Sequence, residues 1–274
     1  MNPSIEQMQR TAQEMRVSVL RMNHRAGSGH TGGSFSCAEI MTVLFDRILA
    51  LRPSEPRWPQ RDRFVLSKGH AAPMLYATMA RKGFFDPALL MTLRQTGSPL
   101  QGHPCRVKLP GVELPSGPLG FGCSAGLGMA LAARLTGQRW NTFVLCGDGE
   151  LDEGQNWEAC MAIAKWQPRN LTIIVDNNHV QLDGPVNEIM PLGDLTAKFA
   201  SFGLAVITCS GHCVASLLEA FAQAAAHQGT AVIIAETVKG KGVSFMEGNA
   251  AWHGKPINDD EFAAALAELQ GARP

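Results

Sequence analysis

The chain has 274 residues, of which 45% are hydrophobic and 18% charged, proportions typical of a folded globular protein and not of a disordered or fibrous one. Its 24 basic residues balance its 24 acidic residues, which argues against nucleic acid or an anionic membrane as a partner. Charged residues interrupt the first 25 positions, no apolar run approaches the ~20 residues that span a bilayer, and the seven scattered cysteines contain no C-x-x-C pair. We therefore expect a cytoplasmic protein with reduced thiols.

The first half of the chain alternates helical periodicity with one strand. Residues 4–7 have the capping-box sequence Ser-Ile-Glu-Gln, after which apolar residues recur at helical spacing up to Gly27. The glycine-rich sequence AGSGHTGG then predicts a turn that presents His30. The predicted elements of this half are helices over 4–27, 36–48 and 86–95, a strand over 63–67, and a helical stretch that ends at Gly83.

The second half begins with a segment rich in glycine and proline, residues 97–122, which predicts a long ordered loop. Beyond it, apolar strands rich in β-branched residues alternate with helices. This alternation is typical of a parallel sheet covered by helices on both faces. The predicted strands are NTFVLC, NLTIIVDNN, LAVITC and TAVIIAET, and the predicted helices lie over 124–135, 154–166, 194–202, 214–227 and 259–270. We expect one three-layer α/β/α domain over residues 1–274.

A carboxylate and an amide follow two of these strands. Asp148 lies between two glycines after NTFVLC, and Asn178 ends the next strand along the chain. One helix joins the two strands, so a right-handed crossover would bring their carboxyl ends to the edge of the sheet where such folds bind ligands. Carboxylate, amide and backbone carbonyl oxygens, such as that of Val180, are ligands that Mg²⁺ prefers, with phosphate oxygens completing the shell. Asp148 is therefore predicted to hold a cation that carries a diphosphate, with Gly149 allowing close approach of the backbone.

Four histidines lie beside glycines in loops, where a buried core histidine is unexpected. They occur in the sequences G-H-T, G-H-A, G-H-P and W-H-G, and imidazole is suited to proton transfer near neutral pH. We expect them to share one cleft. These residues are His30, His70, His103 and His253. The other histidines, His24, His179, His212 and His227, lack this context and are assigned no role.

Several segments in order resemble the N-terminal half of transketolase. One segment is similar to the thiamine diphosphate motif, namely GDGELDEGQNWEA…DNNHVQLDG. Five further segments resemble those of the family, and together the matches cover roughly residues 16–257. They are SGHTGGSFSCAEIMTVLF, DRFVLSKGHAAPMLY, GHP, PSGPLGFGCSAGLGMALA and KGKGVSF…WHGKP. Thr31 departs from the family, in which proline commonly follows the histidine. The resemblance implies the thiamine diphosphate-binding fold and transfer of a two-carbon ketol unit from a ketose donor to an aldose acceptor.

The resemblance also implies roles for individual residues. The four histidines would be catalytic, and His70 would also contact the cofactor. The remaining implied residues are Asp148, Asn178 and the carbonyl of Val180 for Mg²⁺, Gly149 and Asn178 at the diphosphate end of the cofactor, Gly117 and Leu119 beside its aminopyrimidine, Leu182 packed against it, and Glu153 facing the subunit interface.

Transketolases of full length continue into a pyrimidine-binding domain, which supplies the glutamate that activates the cofactor, and then into a C-terminal domain. This chain ends at Pro274, and nothing in it matches that glutamate. We therefore expect a separate partner subunit carrying both missing domains, assembled as a heterotetramer. The expected substrates are small sugars, with a phosphorylated ketose as donor. The predicted enzyme is a split transketolase that is active only with its partner.

Three alternatives remain open. Residues 120–125, GFGCSA, satisfy the G-x-G-x-x-A pattern of nicotinamide dehydrogenases, although a proline- and glycine-rich loop precedes them instead of a strand. The second alternative is a non-catalytic orphan subunit that binds thiamine diphosphate or another protein. The third is a component of another thiamine diphosphate enzyme. A zinc site at Cys209, His212 and Cys213 is disfavoured because no second ligand pair accompanies them.

Overall fold

The computed structural model describes residues 2–271, and in this part of the chain it forms one five-stranded parallel sheet in the order β1-β2-β3-β5-β4. Each predicted strand is present, and each of its ends lies within one residue of the predicted position. The strands are β1 Arg63–Leu66, β2 Thr142–Gly147, β3 Leu171–Asn177, β4 Ala205–Ser210 and β5 Ala231–Glu236. The predicted α/β fold with a parallel sheet is confirmed.

Helices cover both faces of the sheet. Alternate residues of the central strands divide the core in two: Leu145 and Ile174 belong to one apolar cluster, whereas Val144 and Ile173 belong to the other. The first cluster packs under α1 Ile5–Ala26, α3 Ala38–Val43, α4 Ala72–Arg81, α9 Val214–Ala226 and α10 Asp259–Leu269, and the second under α5 Phe121–Leu135, α6 Gln155–Trp166, α7 Val186–Ile189 and α8 Leu195–Ala200. No helix within residues 2–271 is long and apolar enough to cross a membrane.

The capping box predicted at residues 4–7 is present, and a second one begins the last helix. The Ser4 side chain accepts from the N–H of Gln7, whose side chain accepts from the N–H of Ser4, which completes the capping box of α1. Asn258 and Glu261 make the same pair of contacts at α10. The short helix after Asp86 is a 3₁₀ helix, Pro87–Thr92, and residues 97–120 form the predicted long loop.

The glycine-rich segment around His30 is the predicted turn only in its first part, where Gly27 ends α1 with a left-handed backbone at φ 57°. Residues Thr31–Phe35 form a short helix, α2, and the following helix begins at Ala38 instead of Ser36 and ends in a π-helical turn, Leu44–Ile48. Within α2, Gly32 and Gly33 serve close packing and do not make a turn. A Cβ atom on Gly32 would lie 2.9 Å from the carbonyl oxygen of Trp252, closer than such contacts allow.

The register of the central strands brings two acidic residues to one edge. Gly147 pairs with Asp176 at the end of the β2–β3 ladder, and the N–H of Asp148 donates to the carbonyl oxygen of Asp176 at 3.3 Å. Asp148, Asp176 and Asn178 therefore lie together at the carboxyl edge of the sheet, where parallel α/β proteins bind ligands.

Candidate active site

The four predicted histidines lie together. The ring centre of His30 is 5.8 Å from that of His70, 5.9 Å from that of His103 and 5.8 Å from that of His253. The rings of His70 and His253 are 4.9 Å apart. These residues come from four separate segments of the chain, and the fold brings them into one cluster.

Close backbone approaches hold this histidine cluster. His30 has a left-handed backbone, with φ at 72°, and its N–H donates to the carbonyl oxygen of His253 at 3.0 Å. A Cβ atom on Gly29 would lie 2.1 Å from the carbonyl oxygen of Gly254, and one on Gly33 would lie 3.1 Å from the ring of His70. The glycines beside the histidines therefore let these loops touch.

Burial and nearby cations favour the neutral form of all four imidazoles. Burial and the nearby cation Arg94 lower the pKa of His30 to about 4, while burial and Lys239 lower that of His253 to about 3. Burial also lowers the pKa values of His70 and His103 below their ordinary range. Each ring at neutral pH thus offers one N–H donor and one nitrogen acceptor.

Asp148 is a buried carboxylate with 2% of its surface exposed. Its oxygens accept from the N–H of Gly149 at 2.8 Å and from the N–H of His179, and no basic side chain in residues 2–271 forms an ion pair with it. Burial, with the nearby charge of Asp176, raises the pKa of Asp148 to about 6. A carboxylate that is buried without a direct ion pair fits a site that holds a cation.

The other two predicted metal ligands belong to the turn that wraps around Asp148. The side-chain oxygen of Asn178 accepts from the N–H of Val180 at 3.2 Å, and the carbonyl oxygen of Val180 accepts from the ammonium group of Lys239 at 2.8 Å. The structure thus places the Asp148 carboxylate beside a turn that carries an amide and a carbonyl, a set of hard oxygen donors that fits Mg²⁺.

The predicted cofactor-binding residues of the loop lie at the rim of this site. Gly117 is exposed, and a Cβ atom on it would lie 3.8 Å from Cγ of His103. The carbonyl oxygen of Leu119 accepts from the side chain of Gln155 at 2.9 Å. Glu153 and Leu182 are both exposed, Leu182 to 57%, so the structure leaves them free on the surface of this chain.

A fully buried ion pair beneath the site was missed by the sequence reasoning. Lys68 and Asp176 are both inaccessible to solvent and form a salt bridge, and Asp176 also accepts from Ser36 at 2.6 Å and from the hydroxyl of Thr237. Burial opposes both charges, but the attraction between the two groups raises the pKa of Lys68 and lowers that of Asp176. The only signal in the sequence is the charge in SKGH and VDNN, and the two residues are 108 positions apart.

Glu150 was also missed. It is buried, and its carboxylate accepts from the hydroxyl of Ser67, the N–H of Gly120 at 2.8 Å and the N–H of Gly147 at 3.1 Å. Glu150 thereby ties the ends of β1 and β2 to the end of the 97–120 loop. It stands in the same GDGE sequence as Asp148, where no local pattern distinguishes a structural carboxylate from a ligand.

Comparison with known proteins decides the family. The family described as "Transketolase, thiamine diphosphate binding domain" matches residues 7–273. The chain belongs to the transketolase family. The predicted resemblance, the fold, the transferase class and the use of thiamine diphosphate are confirmed.

Relatives of similar length are named as single subunits. The chain is 40% identical to the 6-deoxy-6-sulfo-D-fructose transketolase subunit SqwG of a Clostridium species, over 96% of each chain. It is 39% identical to an apulose-4-phosphate transketolase subunit of Actinobacillus succinogenes, over 98% of this chain and 99% of that protein.

Other relatives are more than twice as long. Human transketolase is 40% identical over 97% of this chain, which spans 42% of that protein. A crystal structure of transketolase from Campylobacter jejuni superposes with a TM-score of 0.92 at 31% identity, and this chain covers 43% of it. The transketolase fold seen here therefore corresponds to less than half of these longer enzymes.

Proposed function

We propose that this chain is the thiamine diphosphate-binding subunit of a two-chain transketolase that requires Mg²⁺. The observation that carries the proposal is the position of Lys239, whose ammonium nitrogen lies 2.8 Å from the carbonyl oxygen of Val180 and 2.8 Å from Nδ1 of His253. One side chain thus joins the oxygen-donor turn to the histidine cluster, as expected when a cation site and a proton-transfer site serve one reaction.

Asp148, Asn178 and the Val180 carbonyl would hold Mg²⁺, which leaves about three octahedral positions for diphosphate oxygens and water. The short turn Gly149–Asp152 follows directly, and a Cβ atom on Gly149 would lie 2.8 Å from Cβ of Gln181. The absence of a side chain at Gly149 lets this turn pack directly against Gln181, and its backbone would approach the phosphate. Gly117, Leu119, His70 and Leu182 would contact the remainder of the cofactor.

When bound, thiamine diphosphate supplies the carbanion that attacks a ketose carbonyl. The protein residues must then position the sugar, exclude water and move protons. The neutral imidazoles of His30, His103 and His253 can donate hydrogen bonds to hydroxyl and carbonyl oxygens of the sugar, and His70 can contact both sugar and cofactor. Uncharged rings suit this task because they add no charge to a site that already holds a cation.

The partner would complete the site. The named subunits of similar length support a second chain that carries the pyrimidine-binding and C-terminal domains, with Glu153 at the interface and a heterotetramer as the assembly. The donor would be a ketose, phosphorylated or otherwise, and the acceptor an aldose.

The test uses the tagged chain as bait in its native lysate with thiamine diphosphate and Mg²⁺ present. Ketol transfer between a ¹³C-labelled ketose and an aldose is then followed by NMR for the bait alone, the recovered complex and the complex rebuilt with Asp148→Ala. The proposal predicts transfer by the wild-type complex and none by the other two samples. Ketol transfer by the bait alone would contradict the proposal. So would a complex that contains a partner chain in stoichiometric amount but shows no ketol transfer.

A further inference from the structure

An arginine that no motif singled out contacts the first histidine of the cluster. A guanidinium nitrogen, Nη2 of Arg94, lies 3.1 Å from Nδ1 of His30. Guanidinium is charged throughout the physiological range and has five donor N–H groups and no acceptor. Nδ1 of His30 must therefore accept this hydrogen bond and carry no proton. Since a neutral imidazole has one N–H group, the proton of His30 lies on Nε2.

The fold fixes the arginine that imposes this arrangement. Arg94 has a left-handed backbone, with φ at 61°, a conformation that costs a non-glycine residue on the order of 1 kcal/mol. Its N–H donates to the carbonyl oxygen of Leu100 at 2.9 Å. Gly102 leaves room for its guanidinium, because a Cβ atom there would lie 2.6 Å from Cζ of Arg94.

No neighbouring group favours a second proton on His30. The charged and titratable groups that face it are Arg94, Lys239 and the rings of His70, His103 and His253, all neutral or positive. Within residues 2–271 no carboxylate forms an ion pair with Arg94, so its donors are not diverted from His30. His30 is thus held both neutral and in one tautomer.

We propose that Arg94 is a positioning residue that fixes His30 as an Nε2–H donor toward substrate. In this role His30 stabilises negative charge on a sugar oxygen by donating a hydrogen bond, and Nδ1 is not available as a base. The catalytic part of this inference rests on the proposed function, whereas the tautomer can be measured on the chain by itself.

The tautomer is read by NMR of the complete chain labelled with ¹⁵N-histidine, since protonated and unprotonated ring nitrogens differ in chemical shift. The His30 signals are assigned by their loss in His30→Gln. The wild-type chain should carry its His30 proton on Nε2, and Arg94→Met should give a mixture of both tautomers. His253, whose Nδ1 faces Lys239, serves as the internal control and should not change. Arg57→Met, at an exposed arginine remote in sequence from the cluster, should leave both histidines unchanged.

A second variant separates the hydrogen bond from the charge. Gly102→Ala keeps Arg94 but displaces its flexible guanidinium, so it should produce the same mixture of His30 tautomers as Arg94→Met. A His30 proton on Nδ1 in the wild-type chain, or a single Nε2 tautomer in both Arg94→Met and Gly102→Ala, would overturn the proposal. These spectra require neither cofactor nor partner, so their failure is distinct from failure of the proposed function.

In the recovered complex, the consequence is kinetic. Arg94→Met should lower kcat by about 10-fold or more, because a donor aimed at developing negative charge is worth ~100-fold when lost completely. The cofactor affinity should stay within about 2-fold of wild type, and Arg94→Lys, which keeps a cationic donor, should recover part of kcat. An unchanged kcat in Arg94→Met would contradict the role of His30 as the fixed donor.

Discussion

The ammonium nitrogen of Lys239 donates to the carbonyl oxygen of Val180 at 2.8 Å, and Lys239 is only 1% exposed. Burial, together with the nearby positive charge of Lys68, lowers the pKa of Lys239 to about 8. No carboxylate in the described part of the chain forms an ion pair with Lys239. A buried cation of this kind is available to an anionic ligand beside the oxygen-donor turn.

Lys239→Met should therefore weaken binding of thiamine diphosphate. A charged hydrogen bond contributes about 1.5–3 kcal/mol, which corresponds to roughly a 10- to 100-fold loss of affinity in a calorimetric titration with Mg²⁺ present. The control is Lys241→Met, because Lys241 is partly exposed and pairs with Glu247 at 3.1 Å. Equal affinities for both variants and the wild type would show that Lys239 does not meet the cofactor.

Glu150→Ala should destabilise the fold and loosen the 97–120 loop. The substitution leaves the buried N–H groups of Gly120 and Gly147 without an acceptor, at about 1–3 kcal/mol each. We expect a loss of at least ~2 kcal/mol in denaturant unfolding and faster proteolysis within the loop. The exposed residue Glu158 provides the control, since Glu158→Ala should change neither measurement. If Glu150→Ala resisted proteolysis as well as the wild type does, Glu150 would not be the residue that holds the loop in place.

Glu39 should contribute to stability in a pH-dependent way. It pairs with Arg16 at 2.6 Å and with Nδ1 of His212 at 2.9 Å. Burial alone would raise its pKa, but Arg16 and His212 outweigh burial and lower the pKa from its ordinary 4.5 to about 2. The folded state therefore holds Glu39 charged more firmly than the unfolded state does, so its contribution is complete above about pH 4.5 and is lost as pH falls toward about 2.

Glu39→Gln should flatten the acid limb of the stability curve over that interval. It should also lower the free energy of unfolding at pH 7 by about 3–5 kcal/mol, because Arg16 is left buried without its partner. Urea unfolding at a series of pH values measures both effects, with the exposed Glu14→Gln as the matched variant. Parallel curves for Glu39→Gln and wild type would contradict the predicted contribution of this ion pair.

Replacement of His103 or His253 should affect turnover more than cofactor binding. Proton transfer and hydrogen bonding by a positioned imidazole contribute about 100- to 10,000-fold to rate. We expect His103→Ala and His253→Gln to lower kcat of the complex at least ~100-fold, while thiamine diphosphate affinity changes far less. His227→Gln, at an exposed histidine without an assigned role, should be fully active. Full activity in either cluster variant would remove that histidine from the proposed catalytic set.

Much of the sheet and its edge could be predicted from sequence because the signals there are local. Apolar β-branched runs mark the strands, and a right-handed crossover then places Asp148 and Asn178 on the same edge. The histidines were recognisable by their glycine neighbours, and the structure gives a reason for one of them: a Cβ atom on Gly29 would collide with the carbonyl oxygen of Gly254 in the facing loop.

The remaining features depend on contacts distant in sequence. Glycines at positions 32 and 33 indicate a turn by propensity, yet tertiary packing makes them helical because the segment must pass close to Trp252 and His70. Arg94 contacts His30 across 64 positions and Lys239 contacts Val180 across 59, so no spacing rule could pair them. Glu150 binds three separate segments and shows its role only when they are assembled.

The most direct test of the site is the Mg²⁺ dependence of thiamine diphosphate binding to the wild-type chain, Asp148→Ala and the exposed control Asp183→Ala, measured by calorimetric titration. We predict that wild type and Asp183→Ala bind the cofactor only when Mg²⁺ is present. Asp148→Ala should lose about 100-fold or more in cofactor affinity, because even the loss of a residue that only supports a metal ligand costs about 10- to 100-fold. Mg²⁺-dependent binding of wild-type strength by Asp148→Ala would show that Asp148 does not hold the cation.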